Sequence, residues 1–563
     1  MPNHDITSPL ITSDHLILTV DPLPAADTTS AAPLSGTAGG NPFTFLGCDE
    51  SEALTVPVPM TIDPFKNNTP NIEGVYEWLK MLLCLPIAIL RLVLFGLCLA
   101  VGYIATRLAL EGWKDKENPM PKWRSRLMWV TRICARWILF SFGYQWIKRK
   151  GRPAPREVAP IIVSNHVSYI EPIFYFYELF PTIVASESHD ALPFVGTIIR
   201  AMQVIYVDRF SPSSRKHAVK EIKRRASCNR FPRVLLFPEG TTTNGRNLIS
   251  FQLGAFIPGY PIQPVIVRYP HVHFDQSWGN VSLGKLMFRM FTQFHNFFEV
   301  EYLPVISPLH DKETAVHFRE RACRAIASAM NVVQTGHTYG DIMLYMKAQE
   351  AKQENPSSFM VEMARVESLF HIRSLEAVEF LDKFLAMNPD PSGRVQYHNF
   401  LKVLRLKACP LSEKMFAFID VEKCGSITFR QFLYGSAYVM KHRGFHQACE
   451  EAFAECSSAV KGYIVEQEEW KEIIGAEKGS NNFLSWISQI SLAKMLFVHQ
   501  NQPLKSATNV HELFMLFDDD NDGRITKDDF HSCLKKNPLL IAFLTPHLQH
   551  KECDGNNGVI EIV

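Results

Sequence analysis

Between residues 81 and 110 the chain is apolar except for Arg91, Thr106 and Arg107, with Lys80 at the edge. A run of that length leaves few options: a helix that crosses or dips into a bilayer, or one buried on all sides. A spanning helix needs about 20 apolar residues, and the clean part, 92–105, is shorter. Pro86 and Arg91 interrupt the rest, so a re-entrant hairpin bent at Pro86 competes with a full span. An arginine near mid-bilayer costs about 2.5–3.5 kcal/mol on insertion scales, which the surrounding Leu, Ile, Val and Phe side chains can offset. A second stretch, 127–146, mixes Trp129, Trp137, Phe140, Phe142 and Trp146 with Arg132 and Arg136. Such a mixture suits a helix at headgroup level. Residues 76–150 are therefore expected to be membrane-associated helices, with the lipid bilayer as a partner.

Residues 1–20 lack the basic cluster and apolar core of a secretory signal. With few large apolar residues and much Pro, Thr, Ser, Ala and Gly, residues 1–75 are expected to form a disordered tail. A net charge of +1 generates no global field, and no basic stripe with interleaved aromatics points to nucleic acid. The 12 cysteines are scattered without a CxxC pair, which favours reduced thiols facing the cytosol.

From 151 to 310, short β-branched runs (161–164, 182–185, 204–208, 234–237, 263–268, 299–303) alternate with helical stretches, among them 213–226 with Ser213 as N-cap. This alternation predicts a largely parallel sheet with both faces covered, and a site just beyond its strand ends. Asn165-His166-Val167-Ser168-Tyr169-Ile170-Glu171-Pro172 follows one strand. On a regular helix a His and a Glu five residues apart would diverge by about 140°. They can meet only if the segment turns, which Pro172 favours. A carboxylate there can fix the imidazole tautomer and stabilise imidazolium. Asp208-Arg209 ends a second strand, where an arginine can grip phosphate. Phe237-Pro238-Glu239-Gly240-Thr241-Thr242-Thr243-Asn244-Gly245 follows a third, and Tyr260-Pro261-Ile262-Gln263-Pro264-Val265 enters a fourth.

Taken in order, these four blocks resemble the glycerolipid (1-acylglycerol-3-phosphate) acyltransferase superfamily. Glu171 stands where most members carry Asp, and Gln203 where the arginine block usually has Gly. The resemblance implies that His166 is the general base, that Glu171 orients it, and that Arg209, Glu239, Gly240 and Thr241 position the acceptor's glycerol-phosphate portion. It implies an acyl-CoA donor, and neither an acyl-enzyme nor a metal for the chemistry.

Helices at 316–330 and 339–350 and a polar linker, 353–358, make a connector over 311–360. In the region 361–540, Asp518-Asp519-Asp520-Asn521-Asp522-Gly523-Arg524-Ile525-Thr526-Lys527-Asp528-Asp529 matches a twelve-residue EF loop. Asp518, Asp520, Asp522 and Asp529 would supply carboxylates to Ca2+, Arg524 its carbonyl, and Gly523 the sharp turn. Copies with fewer ligands stand at Asn388–Asn399, at Asp420–Gln431 and around Gly462 and Ile464, and read as structural hands. Residues 541–563 form a C-terminal tail. The expected architecture is an α/β acyltransferase core with N-terminal membrane helices and an all-α EF-hand C-terminal region. It resembles EF-hand-containing lysophospholipid acyltransferases, above all plant lysophosphatidylethanolamine acyltransferases. That resemblance implies a lysophosphatidylethanolamine or lysophosphatidylcholine acceptor, and residence in the endoplasmic reticulum, Golgi or endosomal membrane with the EF-hands in the cytosol. The competing readings are acylation of lysophosphatidate or glycerol-3-phosphate, and a non-catalytic, calcium-regulated membrane adaptor.

Overall fold

The computed structural model describes residues 41–456 and 515–544, apart from short stretches at 48–53, 59–61, 70, 114–117, 193, 271–273, 311–312, 407, 409, 519, 521 and 523. The expected tail segments 1–40 and 545–563, and the faint loop copy around Gly462, lie outside the described residues.

Helices α1 (Val75–Leu110) and α2 (Lys122–Ser141) lead into β1 (Lys148–Lys150), β2 (Ile161–Ser164), α3 (Ile170–Glu178), β3 (Thr182–Ser186), α4 (Val195–Ala201), β4 (Ile205–Val207), α5 (Pro212–Ser227) and β5 (Val234–Leu236). There follow β6 (Asn247–Leu248), β7 (Ile262–Arg268), α6 (Leu283–Phe291), β8 (Glu299–Tyr302), α7 (Ala315–Met330), β9 (Val333–Gln334) and α8 (Tyr339–Glu350). The main sheet runs β1-β8-β7-β2-β5-β3-β4 and is parallel except between β7 and β8. Its central strands are apolar on both sides because both faces are covered. Ile162, Leu235, Val265 and Val267 pack with α1–α4 and α6, whereas Ile161, Val163, Leu236 and Ile266 pack with α5 and α7. Strands β2 and β5 are neighbours, with Ile161 opposite Val234, which brings the segments after them side by side. Helix α5 is capped by Ser211 rather than Ser213: the Ser211 Oγ accepts the Ser214 N–H at 3.3 Å. Pro212 then takes the first helical position, where a missing N–H costs nothing.

No hairpin forms at Pro86; α1 continues through it for 36 residues, about 54 Å at 1.5 Å per residue. Arg91 does not interrupt the helix, because its guanidinium donates to the carbonyls of Phe291, Gln293 and Phe294 at the end of α6. The turn comes later, and α2 returns antiparallel. The Thr106 and Thr131 hydroxyls meet at 3.0 Å, and further along Arg124 donates to the Ala109 carbonyl at 2.6 Å. Gly102 faces α2 at this crossing, beside Thr131 and Cys134. Among the described residues α1 is the one helix long and apolar enough to cross a membrane by length and composition. The second stretch, 127–146, was expected as a helix at headgroup level. Helix α2 instead docks on the core, with Arg132 donating to the Tyr177 and Glu178 carbonyls and Arg136 to Gln145.

The C-terminal half holds α9 (Met363–Phe370), α10 (Ser374–Ala386), β10 (Arg394–Gln396), α11 (Tyr397–Val403), α12 (Pro410–Ile419), β11 (Ser426–Thr428), α13 (Phe429–Lys441), α14 (Phe445–Cys456), α15 (Lys527–Lys536) and α16 (Ile541–Leu544). It is not purely helical: β10 and β11 pair antiparallel, with Val395 opposite Ile427. That ribbon joins the loop copies at Asn388–Asn399 and Asp420–Gln431. The expected tail is also corrected over the described parts of 41–69, which strap the two halves together. Phe43, Leu46 and Leu54 lie in the C-terminal core, and Phe43 meets Phe418 edge-on at 5.0 Å. Farther along, Asn67 donates to the Asp275 and Ser277 carbonyls. A few large apolar residues anchor the segment despite a composition that favours disorder.

A second junction centres on Asp341 in the first turn of α8. Its buried carboxylate accepts the N–H groups of Thr338, Val361, Glu362 and Met363 at 2.8–3.0 Å. This fixes the chain where the connector enters α9.

Candidate active site

Just past β2, Asn165 locks that strand to β7 with two side-chain bonds to the Val267 backbone, at 3.0 and 2.8 Å. His166 follows, and a turn over 167–169 brings Glu171, in the first turn of α3, back under it. His166 Nδ1 lies 3.0 Å from Glu171 Oε2. The carboxylate is fully buried and fixed from several sides: it accepts the Ser168 N–H at 2.9 Å and the Tyr269 hydroxyl at 2.6 Å. With Glu171 accepting at Nδ1, the proton of neutral His166 sits on Nδ1 and the lone pair on Nε2. The ring stacks on Phe237, with centroids 4.1 Å apart.

The loop after β5 grips the His166 peptide at both ends. The His166 N–H donates to Glu239 Oε1 at 2.9 Å, and the Thr243 N–H donates to the His166 carbonyl at 2.8 Å. Glu239 is fully buried, and burial pushes its carboxyl up to about 8. It does not line the cavity beside His166, in contrast to the phosphate-facing position expected for it; its Oε1 holds the histidine backbone. Gly240 sits at φ 73°, a conformation that glycine adopts without strain, and with Thr241 it does line the cavity.

That cavity, of about 1960 Å³, lies along the C-terminal edge of the sheet. Phe95, Leu99 and Ile138 of α1 and α2 form one wall, and His166, Arg209, Gly240 and Thr241 open into it. Arg209 lies across the Tyr339 ring, 4.3 Å from its centroid. Of the six core residues singled out from sequence, four thus share one cavity, Glu171 stands behind His166, and Glu239 lies beside its backbone. Sequence reasoning missed Asn165, Tyr269 and Tyr339. Tyr269 directly follows β7, so the strand-end rule that found His166 could have found it. Gln203 adopts φ 52°, consistent with a position that glycine usually fills. Its side chain tethers the segment between α1 and α2, donating to the Asn118 carbonyl at 2.7 Å and accepting the Met120 N–H.

In the EF loop, the carboxylates of Asp518, Asp520 and Asp522 converge within 4.8 Å of one another, an oxygen set that fits a hard divalent cation such as Ca2+. Asp529 is not part of that group. Its carboxylate accepts the Thr526 N–H at 2.9 Å and hydroxyl at 2.6 Å, capping α15. Arg524 donates its N–H to Asp522. The earlier pair of loops is bridged by a cation of its own: Arg394 reaches from the first loop to Glu422 at 2.5 Å and Cys424 Sγ at 3.1 Å in the second. A guanidinium thus occupies the side on which two ligand positions face.

Residues 134–268 match the Acyltransferase family model, and 491–537, of which 491–514 lie outside the described residues, match an EF-hand domain pair. The chain is 62% identical over 509 residues to the lysophospholipid acyltransferase LPEAT2 of Arabidopsis thaliana, covering 90% of this chain and 89% of the relative. It is 30% identical over 423 residues to lysophosphatidylcholine acyltransferase 2 of Mus musculus, covering 73% and 76%. Among solved structures it is similar to the 1-acyl-sn-glycerophosphate (LPA) acyltransferase PlsC of Thermotoga maritima, with a TM-score of 0.32 and 16% identity over 43% of this chain and 94% of that one.

Proposed function

Because the chain belongs to the lysophospholipid acyltransferases, we propose that it transfers an acyl group from acyl-CoA to lysophosphatidylethanolamine or lysophosphatidylcholine, with His166 as general base. The observation that carries this reading is the 3.0 Å contact between His166 Nδ1 and Glu171 at the wall of a lipid-sized cavity. A thioester is already electrophilic, whereas a glycerol hydroxyl is a poor nucleophile until its proton leaves. His166 Nε2 takes that proton as the hydroxyl oxygen bonds to the thioester carbon. The C–S bond then breaks, and the proton passes to the departing CoA thiolate. Glu171 holds the ring and stabilises imidazolium. Arg209, Gly240 and Thr241 position the acceptor's phosphate, and the apolar wall from α1 and α2 takes the acyl chains. Alignment of the two substrates contributes at least as much as the base.

The test is an assay of membranes containing the expressed protein, with labelled acyl-CoA against a panel of lysolipids. Transfer to the ethanolamine and choline lysolipids is expected. A product formed only from lysophosphatidate would replace this acceptor assignment, and transfer to none would sink it. The compartment proposed is the endoplasmic reticulum membrane, with the EF-hand region in the cytosol, where Ca2+ varies.

Glu239 gives a prediction with a defined sign. Its folded carboxyl is raised from 4.5 to about 8, so the folded chain keeps a proton that the unfolded chain releases. Its contribution to stability is full below pH 4.5 and is lost as pH rises through about 8. Glu239→Gln is expected to keep the acceptor for the His166 N–H, to retain transfer within about threefold, and to flatten the fall in melting temperature between pH 6 and 9. If Glu239→Gln abolishes transfer, its ionised carboxylate takes part in the reaction and the positioning role fails.

For calcium, Asp518→Ala is expected to weaken binding about a hundredfold or more by calorimetry, whereas Asp390→Ala and Asp420→Ala leave the Asp518 site unchanged. We assign the ion a regulatory role. Transfer rates that match between chelator and saturating Ca2+ would reduce the loop to scaffolding.

A further inference from the structure

The wall of the cavity opposite α1 and α2 is cationic. Arg209, Arg215 and Lys216 come from the segment after β4 and the start of α5, Arg319 from α7, and Arg365 and Arg373 from the C-terminal half, in α9 and just before α10. One acidic residue, Glu367, lines the same cavity. We infer that Arg365 and Arg373, supplied by the EF-hand-bearing half of the chain, bind the phosphates at the nucleotide end of CoA, so that this half completes the donor site.

Charge supports this choice over the acceptor. The pyrophosphate and ribose phosphate of CoA carry about four negative charges together, whereas an ethanolamine or choline lysolipid presents a single phosphate beside its own cation. Arg209, Arg215 and Lys216 already exceed what one such headgroup needs, and two further guanidiniums match the polyanion. Position supports it too. Arg365 is braced from behind by Glu362, whose buried carboxylate lies 3.4 Å from Arg365 Nη1 and 3.3 Å from Arg430 Nη1 of α13. Arg373 is open to solvent, 3.8 Å from Glu376, at the end where a soluble nucleotide would enter. Within the one cavity, apolar side chains of α1 and α2 suit the acyl chains and the basic side chains suit the phosphates.

The inference rests on the acyl-CoA reading above, and one experiment separates the two. Full-length Arg365→Gln/Arg373→Gln protein is assayed in membranes, varying acyl-CoA and lysolipid in turn. The KM for acyl-CoA should rise about tenfold or more, and the KM for lysolipid should change less than about twofold. Arg365→Lys/Arg373→Lys should recover most of the loss, which a folding defect would not allow. Wild-type enzyme should favour acyl-CoA over its 3′-dephospho analogue, and the Gln variant should favour it less. A rise in the lysolipid KM instead would give these arginines to the acceptor headgroup and overturn the assignment, as would no change in either KM. Failure of the wild-type chain to use acyl-CoA at all would strike the functional reading itself.

Discussion

Replacing His166 with alanine is expected to lower kcat by about 10²–10⁴-fold with little change in the melting temperature. The ring is partly exposed to the cavity and supports the fold mainly through its stack on Phe237, so its loss removes chemistry rather than core. The neighbouring Tyr269 and Glu239 are buried and do not line the cavity, so neither is placed to take over the proton. Glu171 behaves differently under substitution. Its carboxylate is a lynchpin for the Ser168 N–H and the Tyr269 hydroxyl as well as the imidazole, so changes there mix positioning with electrostatics, and His166→Ala is the cleaner measurement. The readout is single-turnover transfer from labelled acyl-CoA in matched membrane preparations. Activity within about tenfold of wild type would remove proton abstraction by His166 from the mechanism.

The largest effect on stability is expected at a residue with no part in the chemistry. Asp341→Ala deletes the shared acceptor of four buried N–H groups, those of Thr338, Val361, Glu362 and Met363. Each stranded donor costs about 1–3 kcal/mol, and allowing for water entry and relaxation the loss is about 3–5 kcal/mol. Melting should therefore fall by about 10 °C, followed by intrinsic fluorescence of detergent-purified protein. Asp341→Asn, which keeps one acceptor oxygen, should fall in between. An unchanged melting curve for the alanine variant would mean that the connector is held elsewhere.

The core was readable because its signals are local. Short β-branched runs fall within a residue or two of the observed strands, and His166 and Glu171 meet because the chain between them turns, as Pro172 suggests. What escaped is long-range. Glu239 looks like a ligand in a Gly-Thr loop, and only the pairing of β2 with β5 reveals that its partner is the His166 backbone. The strap before α1 was hidden by its Pro- and Ser-rich surroundings, since Phe43 and Leu54 find their partners about 375 to 380 residues later in the sequence. Arg91 reads as a penalty within an apolar run until α6 presents carbonyls to it. Arg365 carries no motif; its meaning comes from the cavity it faces. In the EF-hand half, the periodic glycines reveal the loops, but not that Arg394 stands beside the ligand positions of the second.

The strap also settles a question of parity. Residues before α1 are hydrogen-bonded to the loop after β5, through Asn244 to the Asp63 and Lys66 carbonyls, and to α13, through Arg430 to the Pro57 carbonyl. Both flanks of the α1–α2 pair are therefore tied to the same body of the chain, so that a membrane-seated pair would make no net passage from one side to the other. A return crossing by α2 would have to carry Arg124, Arg126, Arg132 and Arg136 through hydrocarbon, while Arg132 and Arg136 are already held at the core surface. Leu82, Leu90, Leu97 and Trp129 are exposed on this pair, an apolar surface that a wedge seated in one leaflet would turn to the lipid tails. Lysolipid could then slide sideways from that leaflet into the cavity without first dissolving in water.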